Sequence, residues 1–287
     1  MVIVRIWEGL GNQMFQYAYA RSLKEKGIDV RLDLDKSYDE MFTKYKNHDL
    51  RENSIQNYNI SLPVVDVYAY GKYSYIMQDT LIKKTIFWLG SHFLWKYNFY
   101  EQDNPRYSPI ALCINKNCYV KGWFQNERYF KNIRSILIKE YIPREKIKIN
   151  VKLRKAVEST ESVSIHIRRG DYVKINHAIN ISYYKAAMDY IRRIYKHPKF
   201  LIFSDDLEWV KNNLYIDNEY IYVNENGKLK DFEELFIMSK CKSNIISNST
   251  FSWWAAWLNQ NEKKIVVAPK QWLKIQGNII PDDWVIV

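Results

Sequence analysis

A chain of 287 residues suits one large domain or two of ordinary size, and 47% apolar residues exclude extensive disorder. No run of about 18 uninterrupted apolar residues occurs, which excludes a membrane-spanning helix; the nearest stretch, residues 85–99, is broken by Gly90, His92 and Lys96. The net charge of +11 asks for an anionic partner (nucleic acid, phosphorylated ligand or membrane surface), and the 16% of aromatic residues would suit single-stranded nucleic acid or a sugar-binding cleft.

The chain opens with an apolar run over residues 2–7 that predicts a buried strand. A glycine turn, Gly9-Leu10-Gly11, leads into a helix over 12–26 and a strand over 30–34. Residues 36–109 turn irregular, polar and tyrosine-rich, and a basic connector around residues 142–146 marks a domain boundary, giving domains 1–142 and 143–287. The second half is more regular. Strands are expected at 163–167, 200–204, 220–223, 244–247 and 264–268, and helices at 181–195, 207–213, 231–241 and 253–259. Short apolar runs alternating with helices imply parallel sheets wrapped by helices, so the fold class is α/β with two facing domains and a cleft between them. No signal peptide is evident at the N-terminus. Cys113, Cys118 and Cys241 are odd in number and scattered, which fits thiols in a reducing cytoplasm better than a disulfide framework.

Four motifs carry chemistry. Gly9-x-Gly11 lacks the third glycine of a dinucleotide fingerprint, since position 14 is Met, although Asp33 stands where a ribose-binding acid would. Asn12-Gln13 adds two amides at a helix start, able to bond hydroxyls. The strongest signal is His166-Ile167-Arg168-Arg169-Gly170-Asp171-Tyr172 at the carboxyl end of a predicted strand. Arginine forks suit phosphate oxygens, Gly170 permits a sharp turn, and Asp171 can orient an arginine or accept a proton. Residues Asn248, Ser249, Thr250, Phe251 and Ser252 follow Ser247 into a helix and read as an anion site or as N-capping. Asp205-Asp206 is open between helix capping and a carboxylate for a guanine edge or ribose. Asp231-x-x-Glu234 looks like capping alone. Asp33-x-Asp35 is literally the pattern with which many sugar transferases hold a divalent ion, and a structural role is preferred for it. The histidines and cysteines show no transition-metal spacing.

Residues 9–18, 166–172 and 247–254 together resemble, in order and spacing, the bacterial α-1,2-fucosyltransferases of glycosyltransferase family 11, over nearly the whole chain except residues 36–119. The resemblance implies a two-domain GT-B architecture. It further implies GDP-β-L-fucose as donor without a metal or other cofactor, a galactose-terminated acceptor, and no nucleic-acid partner. It assigns Arg168 to the β-phosphate, His166 and Asp206 to the guanine region and Ser249, Thr250 and Phe251 to phosphate contacts, with Arg169, Asp205, Asn248 and Ser252 beside them. Gly9, Gly11, Asn12 and Gln13 fall on the fucose and acceptor side. The family loop usually begins with two glycines, and Glu8 replaces the first.

The expected reaction is an in-line displacement at fucose C1 by a galactose 2-hydroxyl. Arg168, with Arg169 and the Ser249–Thr250 helix start, would stabilise the departing phosphate. Asp171, Glu8 and Asn12 (through water) are open candidates for a base, and a loose transition state needs little of one. The expected location is the cytoplasm, with peripheral contact to an anionic inner membrane. Two other readings stand beside this one: a basic single-stranded nucleic-acid-binding protein, against which the concentration of polar groups at strand ends argues, and a metal-dependent transferase built on Asp33/Asp35.

Overall fold

The computed structural model describes residues 1–34, 52–65, 98–102, 104–270, 272 and 279–287. Asp35 and the tyrosine-rich stretches 36–51 and 66–97 lie outside the described residues. The chain divides into two compact units: Met1–Gln56 with Ile60–Glu140, and Asn57–Asn59 with Tyr141–Val287. The three residues Asn57–Asn59 join the second unit through backbone bonds of Asn59 to Ile142 and of Arg144 to Asn57, a long-range pairing with no local signature in sequence.

In the first unit, β1 (Val2–Arg5), β2 (Val30–Asp33), β3 (Asn98–Glu101) and β4 (Cys118–Lys121) form a parallel sheet in the order β2-β1-β4-β3. Between β1 and β2 runs α1 (Leu10–Glu25), a helix buried on most of its circumference. Its tyrosines reach polar partners, as buried phenols must. Tyr17 donates to Glu140 at 2.7 Å and Tyr19 to the carbonyl of Ala111 at 2.7 Å. Glu140, the last residue of α2 (Arg134–Glu140), also accepts from Arg21 and Ser61, so one carboxylate gathers three donors.

The second unit begins with α3 (Val151–Glu158), capped by the Asn150 side chain, and β5 (Ser162–Ile167), buried along its whole length. There follow α4 (Gly170–Lys174), α5 (Ile181–Arg192), β6 (Lys199–Ser204), α6 (Leu207–Asn213), β7 (Tyr220–Tyr222), α7 (Asp231–Lys240), β8 (Ser243–Ile245), α8 (Thr250–Leu258), β9 (Val266–Ala268) and β10 (Val285–Ile286). The strands form one parallel sheet, β10-β9-β8-β5-β6-β7. Strands covered on both faces read as continuous apolar runs, and Phe200–Phe203 is such a run, with all four residues fully buried. Both units are therefore the parallel α/β kind expected. Among the described residues no helix is long and apolar enough to cross a membrane.

Candidate active site

The order of the second sheet reverses once. From β5 the chain adds β6 and β7 on one flank, then returns to place β8 on the other. Open α/β sheets take ligands outside the carboxyl ends of their strands at such a switch point. Hydrogen bonds cross it, two of them from a β5 side chain and the helix that follows. His166 Nδ1 and Ser247 Oγ lie 3.0 Å apart, and Tyr172 Oη donates to the carbonyl of Asn248 at 3.4 Å.

Beyond the end of β5 stand two arginines, both anchored. Arg168 meets Asp171 Oδ1 at 2.5 Å through Nη2 and Asp205 Oδ2 at 2.6 Å through Nη1, and its guanidinium lies 5.4 Å from the Tyr172 ring centroid. Arg169 donates from its backbone to Asp205 Oδ1 at 2.8 Å and from Nε to Asp206 Oδ2 at 3.1 Å, and stacks 3.5 Å over Trp209. Asp206 also accepts from Trp209 N as the N-cap of α6. Capping and arginine pairing thus share one carboxylate. Gly170 has a different reason from the expected sharp turn: a Cβ there would stand 2.7 Å from Asp205 Oδ2, a carboxylate pinned from both oxygens. The glycine makes room for Asp205.

His166 is buried against the Phe251 ring, at 5.4 Å between centroids. Burial, and then the nearby positive charge of Arg168, lower its pKa to about 3, so the imidazole is neutral at physiological pH. Ser249 is the N-cap of α8, its Oγ accepting from Phe251 N at 3.3 Å, and Ser252 donates back to the Ser249 carbonyl. The capping reading is therefore realised in this turn, with Thr250 the first helical residue. Asn248 donates to the carbonyl of His177 at 2.9 Å, while its Oδ1 has no partner among the described residues although Asn248 is only 5% exposed.

The loop after β1 departs further from expectation. Gln13 is fully buried and its amide is consumed by the fold: Nε2 donates to the carbonyls of Glu8 and Glu52, both at 2.7 Å, and Oε1 accepts from Ile55 N. It clamps the loop instead of presenting an amide to a ligand. Asn12 Oδ1 accepts from Gln125 at 2.7 Å. Glu8 is exposed and sits at φ 68°, a left-handed conformation that costs a non-glycine residue about 1–2 kcal/mol. That is the position at which the sequence resemblance leads one to expect glycine. Gly9 caps α1 at φ −70°, and a Cβ there would meet nothing within 4 Å among the described residues; Gly11 is buried in the first turn of α1. Asp33 is fully buried, paired with Arg5 at 3.2 Å and accepting from Tyr119 Oη at 2.5 Å. These bonds make it a core ion pair, the structural role preferred for it in the sequence.

A family model described as Glycosyl transferase family 11 matches residues 1–279. The chain belongs to glycosyltransferase family 11. It is 31% identical to the O-antigen biosynthesis glycosyltransferase WbnK of Escherichia coli over 96% of this chain and 97% of that one. It is likewise 31% identical to an alpha-1,2-colitosyltransferase of Escherichia coli over 99% and 98%. A galactoside alpha-(1,2)-fucosyltransferase 1 of Saimiri sciureus matches at 26% over 33% of this chain and 28% of that one. Among solved structures, NodZ alpha-1,6-fucosyltransferase soaked with GDP-fucose aligns at TM-score 0.47 and 14% identity, over 90% of this chain and 91% of that one.

As a family 11 glycosyltransferase the chain carries its charged cluster at the switch point, away from a cavity elsewhere in the second unit. A cavity of about 630 Å³ lies in the second unit among Ile142, Ile149, Val157, Phe236, Lys240 and Lys242. Lys242 directly precedes β8, so this cavity belongs to the amino end of the sheet, opposite the arginines. Sequence reasoning missed Trp209 and the Ser247 contact of His166, and it misread Glu234. Here the capping bond comes from Glu233, which accepts from Lys230 N, while Glu234 turns to accept from Asn224 at 2.5 Å. Burial first, then the charges of Asp231 and Asp205, raise the Glu234 pKa to about 7.

Proposed function

We propose that this glycosyltransferase moves L-fucose from GDP-β-L-fucose to the 2-hydroxyl of a terminal galactose-type acceptor, inverting at fucose C1 to form an α-1,2 linkage. One observation carries the reading: two guanidinium groups fixed by three carboxylates at the carboxyl end of β5, beside the capped start of α8. In the reaction the galactose oxygen bonds to C1 as the bond from C1 to the β-phosphate oxygen breaks. The bonding electrons leave with GDP, and the hydroxyl proton passes to a base or to solvent. Arg168 then exchanges carboxylate for phosphate oxygens, offering its planar fork where negative charge grows. The arginines and the helix start supply the positive charge that a metal would otherwise bring. Asp205, Asp206 and Asp171 act by holding the arginines, so a guanine edge would share Asp206 with Trp209 N and Arg169.

A second reading is favoured by the alpha-1,2-colitosyltransferase relative, which aligns over almost the whole chain: the donor sugar is colitose, the 3-deoxy analogue of L-fucose. Labelled sugar supplied as GDP-fucose and as GDP-colitose to a panel of galactosides, with and without EDTA, tests both. Transfer from GDP-fucose in EDTA supports the first reading, and transfer from GDP-colitose alone replaces it with the second. Equal affinity for GDP and UDP in calorimetry overturns the guanine assignment. The same reading sets the enzyme in the cytoplasm with its excess positive charge against an anionic membrane surface, supported by the net charge of +11.

A further inference from the structure

The first sheet has a switch point of its own. From β1 the chain places β2 on one flank, and β4 with β3 on the other, so the carboxyl ends of β1 and β4 flank a second crevice of the kind that takes ligands in open α/β sheets. The residues that follow those two strands meet there. Trp7 and Trp123, both half-buried, pack with ring centroids 4.6 Å apart at 48°. Lys121, paired with Glu101 at 2.8 Å, lies 5.4 Å from the Trp7 ring centroid.

Each strand end is held in an unfavourable backbone conformation. Glu8 sits at φ 68° directly after Trp7, and Phe124 at φ 50° directly after Trp123. Left-handed non-glycine residues persist only where the surroundings over-determine them, and such residues cluster at ligand sites. The surroundings here do so. Gln102 accepts from the backbone N–H of both Trp123 (3.1 Å) and Phe124 (2.8 Å) through one oxygen, and Phe124 stacks on Tyr19 at 3.9 Å. On the other strand, Gln16 Oε1 accepts from Trp7 N at 2.9 Å, and Gln125 ties its turn to Asn12 at 2.7 Å. Two donors in this cluster, Trp7 Nε1 and Gln16 Nε2, have no acceptor among the described residues, and Gln16 is fully buried. Buried donors in native proteins are almost always matched, so two together point to an acceptor brought by a ligand.

Paired indole faces suit the apolar C–H face of a pyranose, and free N–H groups suit its hydroxyl oxygens. We propose that Trp7 and Trp123 form the platform on which the first unit seats the galactose-type acceptor. The inference rests on the sugar-transfer reading above and adds an acceptor subsite to it.

Saturation-transfer NMR with methyl β-D-galactopyranoside and the full wild-type chain, with no nucleotide present, tests the platform directly. Saturating the aromatic resonances should transfer most strongly to the galactose protons H3, H4 and H5 of the apolar face. No transfer, or strongest transfer at the methyl group, overturns the platform. Trp123→Ala should abolish that transfer and raise KM for the galactoside about tenfold with kcat changed less, while Trp123→Tyr keeps most of both. An unchanged KM in folded Trp123→Ala also overturns it. GDP calorimetry on the wild-type sample separates the two claims: a wild-type chain that binds GDP and gives no galactoside signal refutes the platform, whereas a wild-type chain that binds the galactoside and not GDP refutes the donor reading instead.

Discussion

At the carboxyl end of β5 the chain places Arg168 and Arg169 in a lattice of Asp171, Asp205 and Asp206, while at the carboxyl end of β1 it places Trp7 against Trp123 on a backbone held at positive φ. The two ends are topologically equivalent, each a switch point of a parallel sheet. They are pre-organised by different forces. Carboxylates fix the guanidinium groups electrostatically, whereas buried glutamine amides, Gln13, Gln16 and Gln102, fix the aromatic turns by taking up backbone groups. A site for a charged leaving group needs aimed charge; a site for a neutral sugar needs aimed shape.

The largest effect that could break this contrast belongs to Arg168. Arg168→Ala should lower kcat by about 100-fold or more, as loss of one preorganised donor does, and GDP-sugar affinity should fall less, because the phosphate gains charge only as the bond breaks. Arg168→Lys should rescue part, since a point charge lacks the fork. A folded Arg168→Ala enzyme with near-normal turnover in a steady-state transfer assay ends the electrostatic account. Next comes Gly170→Ala. The added methyl meets Asp205 at 2.7 Å, so either that carboxylate shifts and releases Arg168, or the fold absorbs the overlap. The expected loss is about 1–3 kcal/mol of stability by urea denaturation, accompanied by reduced kcat. The same change at Gly9, where a Cβ meets nothing within 4 Å among the described residues, should leave stability within about 0.5 kcal/mol.

This asymmetry explains what the sequence disclosed. The second unit's strands and helices were legible because covered parallel strands are written as apolar runs between capped helices, and α6 (Leu207–Asn213) was predicted to the residue. The arginine block was legible because charge concentrated after a buried strand is rare. The aromatic switch point was not. Trp123 stands 116 positions beyond Trp7, β3 and β4 are four residues each, and tryptophan is as common in cores as in sites. Glutamine gives no pattern either: Gln13 looks ligand-facing in the sequence because its partners, the carbonyl of Glu52 and the N–H of Ile55, are about forty residues away. The Asp33 ion pair was equally hidden, since only tertiary contact brings Arg5 and Tyr119 to it.

Protonation offers a smaller perturbation. His166 folds neutral, with its pKa lowered to about 3 from the ordinary 6.5. Its contribution is fully present above pH 6.5 and is lost as pH falls toward 3, because protons bind the unfolded chain first. From pH 6.5 to 5 this amounts to about 2 kcal/mol. Stability against urea should therefore fall with acid more steeply in the wild type than in His166→Asn. Glu234 works the other way. Its raised pKa of about 7 gives stability below the ordinary 4.5 that is lost as pH rises through 7, and Glu234→Gln should flatten that slope. Parallel slopes for the variants and the wild type would show these groups to be solvated in the folded enzyme.

The smallest effect is the sharpest for the aromatic end. Glu8 holds φ 68° with an exposed carboxylate, and its backbone carbonyl accepts from Gln13. Glycine adopts that conformation without a Cβ penalty, which relieves about 1–2 kcal/mol, while the greater freedom of glycine in the unfolded chain returns about 0.5–1 kcal/mol. Glu8→Gly should therefore stabilise the enzyme by about 0.5–1 kcal/mol, visible as a small rise in Tm, and should leave transfer active with any change confined to KM for the acceptor. Glu8→Ala separates strain from charge, since it removes the carboxylate and keeps the Cβ. If stability rises in Glu8→Gly but not in Glu8→Ala, backbone strain is the cause. If both variants lose transfer while still binding GDP, the carboxylate itself takes the hydroxyl proton, and Glu8 is the base of the reaction.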